Sequence, residues 1–491
     1  MELKDQLLSI SQSVTHLLPE LVLIASLLVT LVLGLLLKKE KQPILYAIAA
    51  VTYLIAIILI ILTWPQQPII LFEGMMRLDD FSAFFKLLFL VGGFLTILIS
   101  TKKKNDTTTE FIVLLDAIVV GSCLLASSMN FVMVLLSLEL VSLSSYMLAG
   151  FGFDKKSSEG SMKYFLFGSI ATACMIYGMS LMYGLSGTLT FSSDQFLNAL
   201  IEIKSPLLLI ASLLTLVGFL FKISAAPFHL WAPDVYESAP TPVVAFLSIV
   251  PKLAGIAILV KVVLAVQLFG QSGFPWQAIM ACISILSILI GNLSALAQTN
   301  PKRMLAYSSV AQAGFLLIGI AVLGMEGLHF MLFYSIIFLL MNFLAFSALA
   351  QYEEFMDIRS VTTFSGLGRL SFFPAFVILI GMIALTGLPP TAGFTAKLLI
   401  FSSLWTTYQE TKNVILLGLF IIGLVNTVVS LFFYLKIPYF LFLKEPIEPV
   451  GILKTSSSRN FLHALLVVAL IYLFLQPGGL MGWINRITFV L

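Results

Sequence analysis

Charge is what this sequence has least of. Of its 491 residues only 10% are Asp, Glu, Lys or Arg, against roughly a quarter in an ordinary soluble chain, so a water-soluble enzyme is excluded. Cysteine is scarce too, with Cys123, Cys174 and Cys282 far apart and each inside an apolar run. There is no CxxC pair, no Cys/His cluster and no glycine-rich phosphate loop, which leaves iron–sulfur, flavin and nucleotide without a binding motif. A formal net charge of +3 is too small to point to nucleic acid as a partner. The chain has instead 59% hydrophobic residues, 41 Phe and a mean hydropathy of +1.06. This composition is that of a polytopic membrane protein that brings no redox cofactor of its own.

A crossing helix needs about 20 apolar residues. Such runs predict helices near Leu17–Leu37, Ile44–Thr63, Leu78–Ser100, Glu110–Ser128, Asn130–Gly150, Ser161–Ser186 and Pro206–Tyr236. Seven more follow near Pro242–Leu268, Pro275–Ala297, Met304–Gly324, Leu328–Gln351, Phe372–Trp405, Lys412–Lys436 and Phe461–Pro477. The fold class is therefore all-α, with about 14 transmembrane helices. The first run lacks a small-residue cleavage motif and reads as a retained helix. No loop is long enough to fold alone.

The basic residues test the count. On one side the loops hold Lys38, Lys39, Lys41, Lys102, Lys103, Lys104, Lys155, Lys156, Lys302, Arg303, Arg359, Arg369, Lys436, Lys444, Lys454 and Arg459. The other side has Lys4, Arg77, Lys204, Lys412 and Arg486. Sixteen against five is a positive-inside bias. It places both termini on the outer side and agrees with an even number of spans.

Several charges fall inside the predicted helices, where each costs about 2.5–3.5 kcal/mol. Ionisable groups at such depth line an ion path or pair with one another. Glu139 is mid-helix, with Ser142 and Tyr146 on its face. Lys222, Lys252 and Lys397 also lie deep, and Lys163 is placed to pair with Glu139. A hydrated interior track offsets their cost. Lys86 and Lys261 lie nearer helix ends, where snorkelling to the headgroups is expected. Asp116 reads as an edge residue, His16 and His463 as peripheral, and His329 as interfacial.

The seventh and twelfth runs are too long for one straight crossing, and each holds proline at depth: Pro227 in KISAAP and Pro389–Pro390 in TGLPPTAG. Proline removes a donor and displaces the carbonyl four residues back, here those of Ile223 and Thr386. Paired broken helices in corresponding positions point to a transport site. Helices four to eight and nine to thirteen then read as two inverted five-helix units, with discontinuous helices 7 and 12. The corresponding division is 1–109, 110–268, 269–437 and 438–491: three N-terminal helices, two five-helix units and a C-terminal helix. In the ninth helix Ser284, Ser287, Gly291, Ser294 and Gln298 form a small polar stripe, which fits either a packing seam or a channel wall.

At these residues the sequence resembles the antiporter-like subunits of respiratory complex I (NADH–quinone oxidoreductase), most closely the subunit N branch. The matching stretches are KISAAPFHLWAPDVYESAPTPVVAFLSIVP from Lys222 followed by Lys252, NPKRMLAYSSVAQAGFLLIG from Asn300, and LTGLPPTAGFTAK from Leu385 to Lys397. Glu139 in SLELVSLSSYML and Lys163 in SEGSMKYFLFGS also fit. The resemblance implies proton translocation, with Glu139 and Lys163 as the modulating pair and Lys222 as the proton-carrying lysine. It likewise implies that Lys252 is the connecting lysine and Lys397 the distal exit site, with Pro227, His229, Gln312, Pro389 and Pro390 in support. Lysine at 397 fits subunit N better than the sister subunit that typically carries glutamate there. One position departs from the pattern: many members have histidine where Gln312 stands, and an amide orients water but exchanges no proton near neutral pH.

The resemblance further implies that NADH, flavin, iron–sulfur clusters and quinone belong to partner subunits, with none in this chain. The partners are other membrane-arm subunits, sister antiporter-like subunits among them, and the lipid bilayer. The location is an energy-transducing membrane, the bacterial inner membrane. Two other readings share the module or the charges: a subunit of a Mrp-type sodium/proton antiporter, and a passive scaffold whose charges only pair.

Overall fold

The computed structural model of the chain describes residues 3–38, 42–100, 108–202, 206–267, 275–322, 324–356, 358–446 and 457–489. Lys39, Lys41, Lys102, Lys103, Lys104, Lys204 and Lys454, used above to orient the loops, lie outside the described residues.

A short helix α1 (Leu3–Thr15) precedes α2 (Leu18–Leu36) and α3 (Pro43–Leu62). The next connection is a small antiparallel hairpin, β1 (Ile69–Leu71) with β2 (Met76–Leu78), in which Ile69 faces Leu78. Then come α4 (Asp80–Ser100), α5 (Thr108–Ser127), α6 (Phe131–Ala149), α7 (Lys155–Ser186), a short α8 (Asp194–Glu202) and α9 (Pro206–Lys222). Local chemistry sets several of these starts. Asn130 caps α6 by accepting from Val132 N–H at 2.9 Å, and Asp154 with Ser157 forms a reciprocal capping box on α7, leaving fewer orphan donors in the first turn.

After α9 the chain breaks, then continues as α10 (Trp231–Ser238), α11 (Thr241–Leu247) and α12 (Val250–Gln267). The remaining helices are α13 (Trp276–Leu296), α14 (Pro301–Ala321), α15 (Met325–Glu353), α16 (Leu367–Leu370), α17 (Phe372–Thr386), α18 (Ala392–Thr411), α19 (Val414–Tyr434), α20 (Lys436–Leu443), α21 (Ser457–Leu475) and α22 (Pro477–Ile484). Among the described residues twelve helices are long and apolar enough to cross a membrane. Two shorter apolar helices, Pro206–Lys222 and Phe372–Thr386, are the leading halves of the two runs expected to break.

The chain packs as two compact units. Unit 1 is Met1–Ile223, Val250–Phe274 and Thr488–Leu491; unit 2 is Ser224–Ile249 and Pro275–Ile487. In unit 1, α12 packs against α4, α5 and α9. In unit 2, α13 lies along α14 and α19, and α15 is wrapped by α14, α17, α18 and α21. The α13 stripe resolves as a packing seam at its centre. A Cβ on Gly291 would sit 2.5 Å from Ala311 N, and one on Gly314 2.8 Å from Ile288 Cγ1. Ser284 Oγ donates to the Gly314 carbonyl at 2.7 Å, so the small residues bring two backbones together.

Four sequence expectations are overturned by burial. Lys86 is 2% exposed and Lys261 3%, so neither snorkels: α4 and α12 are surrounded by other helices along these faces. Asp116 is fully buried because α2, α3 and α4 pack around α5. His463 is likewise fully buried, since α21 packs against α15, α17 and α18. Position along a single helix cannot reveal what its neighbours cover.

Candidate functional site

In unit 1 the break begins one residue after Lys222, the last residue of α9. Ser224 takes a left-handed φ of 54° and the Ala226–Pro227 bond is cis. Ile223, Ser224, Ala225 and Ala226 are buried, whereas Pro227 reaches the surface of the chain. The Lys222 side chain is 1% exposed. Its Nζ donates to Ser142 Oγ at 3.1 Å and stands 5.9 Å from the centre of the Tyr164 ring. Ser142 also hydrogen-bonds Tyr146, so the face of α6 that carries both residues is the one that receives the lysine.

Glu139, on the same helix, is half-buried and interacts electrostatically with Lys222. Thr172 Oγ1 of α7 donates to Glu139 Oε1 at 2.8 Å. Lys163 sits in the third turn of α7, where its Nζ pairs with Glu159 Oε1 at 2.8 Å, both side chains being well exposed. Lys252 is buried, three residues into α12. Gly255, one turn on, fits closely against the end of α9: a Cβ there would lie 2.7 Å from Ile223 Cγ2 and 3.4 Å from Lys222 Cβ.

Unit 2 holds the second break. Helix α17 ends at Thr386, Gly387 adopts a left-handed φ of 83°, and Pro389–Pro390 is cis before α18 begins at Ala392. Pro389 and Pro390 are exposed while Leu385, Thr386 and Gly387 are buried. Thus the carbonyls freed by the prolines are the ones that need donors, and side chains supply them. Lys397 Nζ donates to Thr386 O at 2.7 Å and Leu385 O at 3.4 Å. The same ammonium lies 4.5 Å from the centre of the Phe315 ring, a cation–π contact.

Gln312 is the second donor to Leu385 O, at 3.0 Å. Its amide also donates to Tyr434 Oη at 3.1 Å and its oxygen accepts from Tyr334 Oη. Tyr434 Oη in turn bonds Ser308 Oγ. His229 is buried, 6.4 Å ring to ring from Tyr307. Ala226 N–H, at the first break, donates to Ser287 Oγ of the α13 stripe at 2.9 Å.

Unit 1 brings Glu139, Lys222 and Ser142 together, and unit 2 joins Lys397 with Gln312 through one carbonyl. Thr172, Tyr164, Phe315, Tyr334 and Tyr434 carry no signal in the sequence, because an aromatic or a threonine in an apolar helix looks like core. A partial cue existed for Ser142, three residues from Glu139 on the same helix face.

The family described as NADH:quinone oxidoreductase/Mrp antiporter, TM matches residues 128–424, and that described as NAD(P)H-quinone oxidoreductase subunit 2 N-terminal matches residues 3–102. NADH-quinone oxidoreductase subunit N of Chlorobium chlorochromatii is 34% identical over 493 residues, covering 97% of this chain and 95% of the relative. NAD(P)H-quinone oxidoreductase subunit 2 of Synechocystis is 37% identical over 444 residues, covering 89% and 84%. Among solved structures, a chain of respiratory complex I from Thermus thermophilus with bound aureothin aligns at a TM-score of 0.80 with 30% identity, over 94% of this chain and 98% of that one. A chain of the Mrp complex from Dietzia shares the fold, with a TM-score of 0.78 at 18% identity over 96% of each chain. The chain belongs to the NADH:quinone oxidoreductase/Mrp antiporter transmembrane family, in its complex I subunit N branch.

Proposed function

We propose that the chain is a proton-translocating membrane subunit of an NADH–quinone oxidoreductase, in which Lys222, Lys252 and Lys397 carry the proton and Glu139 and Lys163 are the pair that modulates the first site. One observation bears most of this reading: each broken helix presents a buried lysine whose ammonium is held by neutral acceptors, Ser142 for Lys222 and the Leu385 and Thr386 carbonyls for Lys397. A buried ammonium held this way costs far less than an unsolvated one, and neutral acceptors let it lose and regain a proton without breaking an ion pair.

Glu139 is the charged neighbour of Lys222. A carboxylate favours the ammonium form of a nearby amine, so a rearrangement that moves Glu139, or draws it to Lys163, changes whether Lys222 keeps its proton. Lys252 receives it, and water held at Gln312 hands it to Lys397. Pro227, Pro389 and Pro390 keep the breaks open, with His229 in support. Moving one charge against 100 mV costs about 2.3 kcal/mol, so energy comes from outside the chain. Partner subunits supply it through NADH oxidation and quinone reduction, with their own flavin and iron–sulfur clusters, and this chain does no redox chemistry.

Counting each interrupted pair as one crossing gives fourteen spans, both termini on the outer side of a bacterial inner membrane. The chain then reads as 1–109, two inverted five-helix repeats at 110–268 and 269–437, and 438–491. The repeats follow chain order, while the compact units follow packing, which is why Ser224–Ile249 lies in the first repeat but in unit 2. The sister antiporter-like subunits are the expected neighbours. A Mrp-type antiporter subunit is the weaker reading, because the relatives covering nearly the whole chain carry quinone oxidoreductase names.

The test is the assembled complex in inverted membrane vesicles. Lys222→Ala and Glu139→Gln are expected to abolish or sharply reduce NADH-driven proton uptake. Full coupled pumping in both variants overturns the assignment. Loss of sodium tolerance with intact NADH-driven pumping, on deletion of the chain, moves it to the antiporter class.

A further inference from the structure

The lysine axis leaves a second set of buried ionisable groups in unit 1 unused. Lys86 Nζ of α4 and Glu20 Oε1 of α2 form an ion pair at 2.6 Å, each side chain no more than 3% exposed. Asp116 of α5, fully buried, accepts from Tyr53 Oη at 2.8 Å on Oδ1. Gly93 on α4 makes the room for that phenol, since a Cβ there would lie 2.5 Å from Tyr53 Cε1. The other carboxyl oxygen, Asp116 Oδ2, completes no hydrogen bond among the described residues, nor do the buried hydroxyls of Ser26 and Thr30 on α2. Ser26 stands beside Asp116.

Between these two clusters lies Cys123, two turns along α5 from Asp116, electrostatically coupled to both Glu20 and Lys86 and close enough to Tyr53 to act on it as well. At the edge, Lys261 of α12 is buried 6.0 Å from the centre of the Phe81 ring, and its Nζ makes no hydrogen bond among the described residues. It is coupled to Asp79, Arg77 and Lys86, and Arg77 Nε lies 3.8 Å from Asp79 Oδ2.

In order, the groups run from Thr30 and Asp116 with Tyr53 and Ser26, through Cys123 and Glu20–Lys86, to Lys261 and Asp79–Arg77. Glu20 to Thr30 alone covers roughly 15 Å at 1.5 Å per residue, about half the hydrocarbon core. Asp116 sits mid-helix and Asp79 just before α4, so the file leads from the middle of the bilayer to its edge. It is separate from the lysine axis. Lys252 and Lys261 are nine residues apart on α12, about two and a half turns, and therefore point to opposite sides of that helix.

We propose that this file is a second proton route: Asp116 holds a proton on Oδ2, and Glu20–Lys86 and Lys261 pass it to the Arg77–Asp79 edge. The proposal rests on the translocation reading above. Asp116 keeps its Tyr53 bond on Oδ1 in either protonation state. The open Oδ2 can then take up a proton, and the unsatisfied Ser26 hydroxyl beside it offers both a donor and an acceptor to a water bridging the two. Unsatisfied buried hydroxyls and a lone ammonium also suit bridging water, which the transfer between clusters requires.

The experiment measures protons taken up per NADH oxidised by the assembled complex in inverted vesicles, together with the infrared difference spectrum in the protonated-carboxyl region. Lys222→Ala serves as reference. Asp116→Asn is expected to lower the proton ratio and remove one carboxyl band, and Asp116→Glu to restore both. Lys261→Met gives a variant that leaves no hydrogen bond broken, so a merely structural lysine predicts an unchanged ratio and the proposal predicts a fall. If Asp116→Asn does not assemble, Lys261→Met decides. An assembled Asp116→Asn or Lys261→Met complex with the parental ratio, beside a lowered ratio in Lys222→Ala, overturns the second route and leaves the lysine axis standing. A parental ratio in Lys222→Ala overturns both.

Discussion

Lys397 and Gln312 share one acceptor, the carbonyl of Leu385, one residue before the end of α17. A backbone oxygen deprived of its helical donor by the downstream prolines thus becomes the joint between the distal lysine and a buried amide. The amide is itself held on both sides, by Tyr334 at its oxygen and Tyr434 at its nitrogen.

Replacing Gln312 with leucine tests that joint. The change keeps most of the volume but leaves Tyr334 Oη without its acceptor and Tyr434 without a donor, and each orphaned buried group costs about 1–3 kcal/mol. Lys397 keeps Leu385 and Thr386, so the ammonium stays solvated. The expected result is a lower thermal midpoint for the assembled complex and slower pumping, read by native-gel survival after heating and by proton uptake. An unchanged midpoint contradicts the hydrogen-bond assignment.

The α13–α14 seam gives a steric prediction. At Gly291 an added Cβ meets Ala311 N at 2.5 Å and the Tyr307 carbonyl at 2.8 Å, both backbone atoms that cannot rotate away. Gly291→Val is expected to push α13 from α14 at a cost of about 1–3 kcal/mol, as overpacking does elsewhere. Gly418, where a Cβ meets nothing within 4 Å, is the control. Comparable thermal midpoints for Gly291→Val and Gly418→Val rule out the close approach.

The two breaks were legible in the sequence because proline at depth and excess run length are local signals, and the fold confirms both stops, at Lys222 and Thr386. Lys222, Lys252 and Lys397 stood out for the same reason, since an ammonium in an apolar run has no local excuse. What the chain order could not disclose was lateral. Lys86 and Lys261 look like edge residues on their own helices and are buried only by helices from elsewhere in unit 1. Tyr334 and Tyr434 became functional neighbours of Gln312 across more than twenty and more than a hundred positions, separations at which no periodicity carries information. The β1–β2 hairpin and α1 escaped because short elements lie below the length that hydropathy reads.

Asp154 supplies a pH prediction outside the crossing helices. The Ser157 N–H, donating to Asp154 Oδ1 at 2.6 Å, the Ser157 side chain, the Lys156 backbone N–H and the Lys156 charge hold this carboxyl below the usual range. A carboxyl lowered in the folded state contributes stability above its unfolded value, about pH 4, and loses it as pH falls through the lower folded value. Asp154→Ala removes the cap of α7 and is expected to cost about 1 kcal/mol at neutral pH. The gap between parent and variant closes on acidification, in midpoints measured from about pH 7 down to pH 3. A gap that stays constant over that range refutes the ionised cap.

The Lys222–Ser142 contact is the last and most direct test, because it separates the lysine's charge from its placement. Ser142→Ala removes the acceptor 3.1 Å from Nζ while Glu139 and Lys222 keep their charges. A hydrogen bond to a charged group contributes about 1.5–3 kcal/mol, so turnover-linked proton uptake is expected to slow by roughly tenfold or more. Ser142→Thr retains a hydroxyl and is expected to recover most of the rate. In the Lys222→Ala background the serine has no ammonium to hold, so adding Ser142→Ala changes nothing further, and the two effects are strongly non-additive. Additive losses in the double variant place Ser142 in the packing of α6 alone, and the lysine is then positioned by Glu139 and Tyr164 without it.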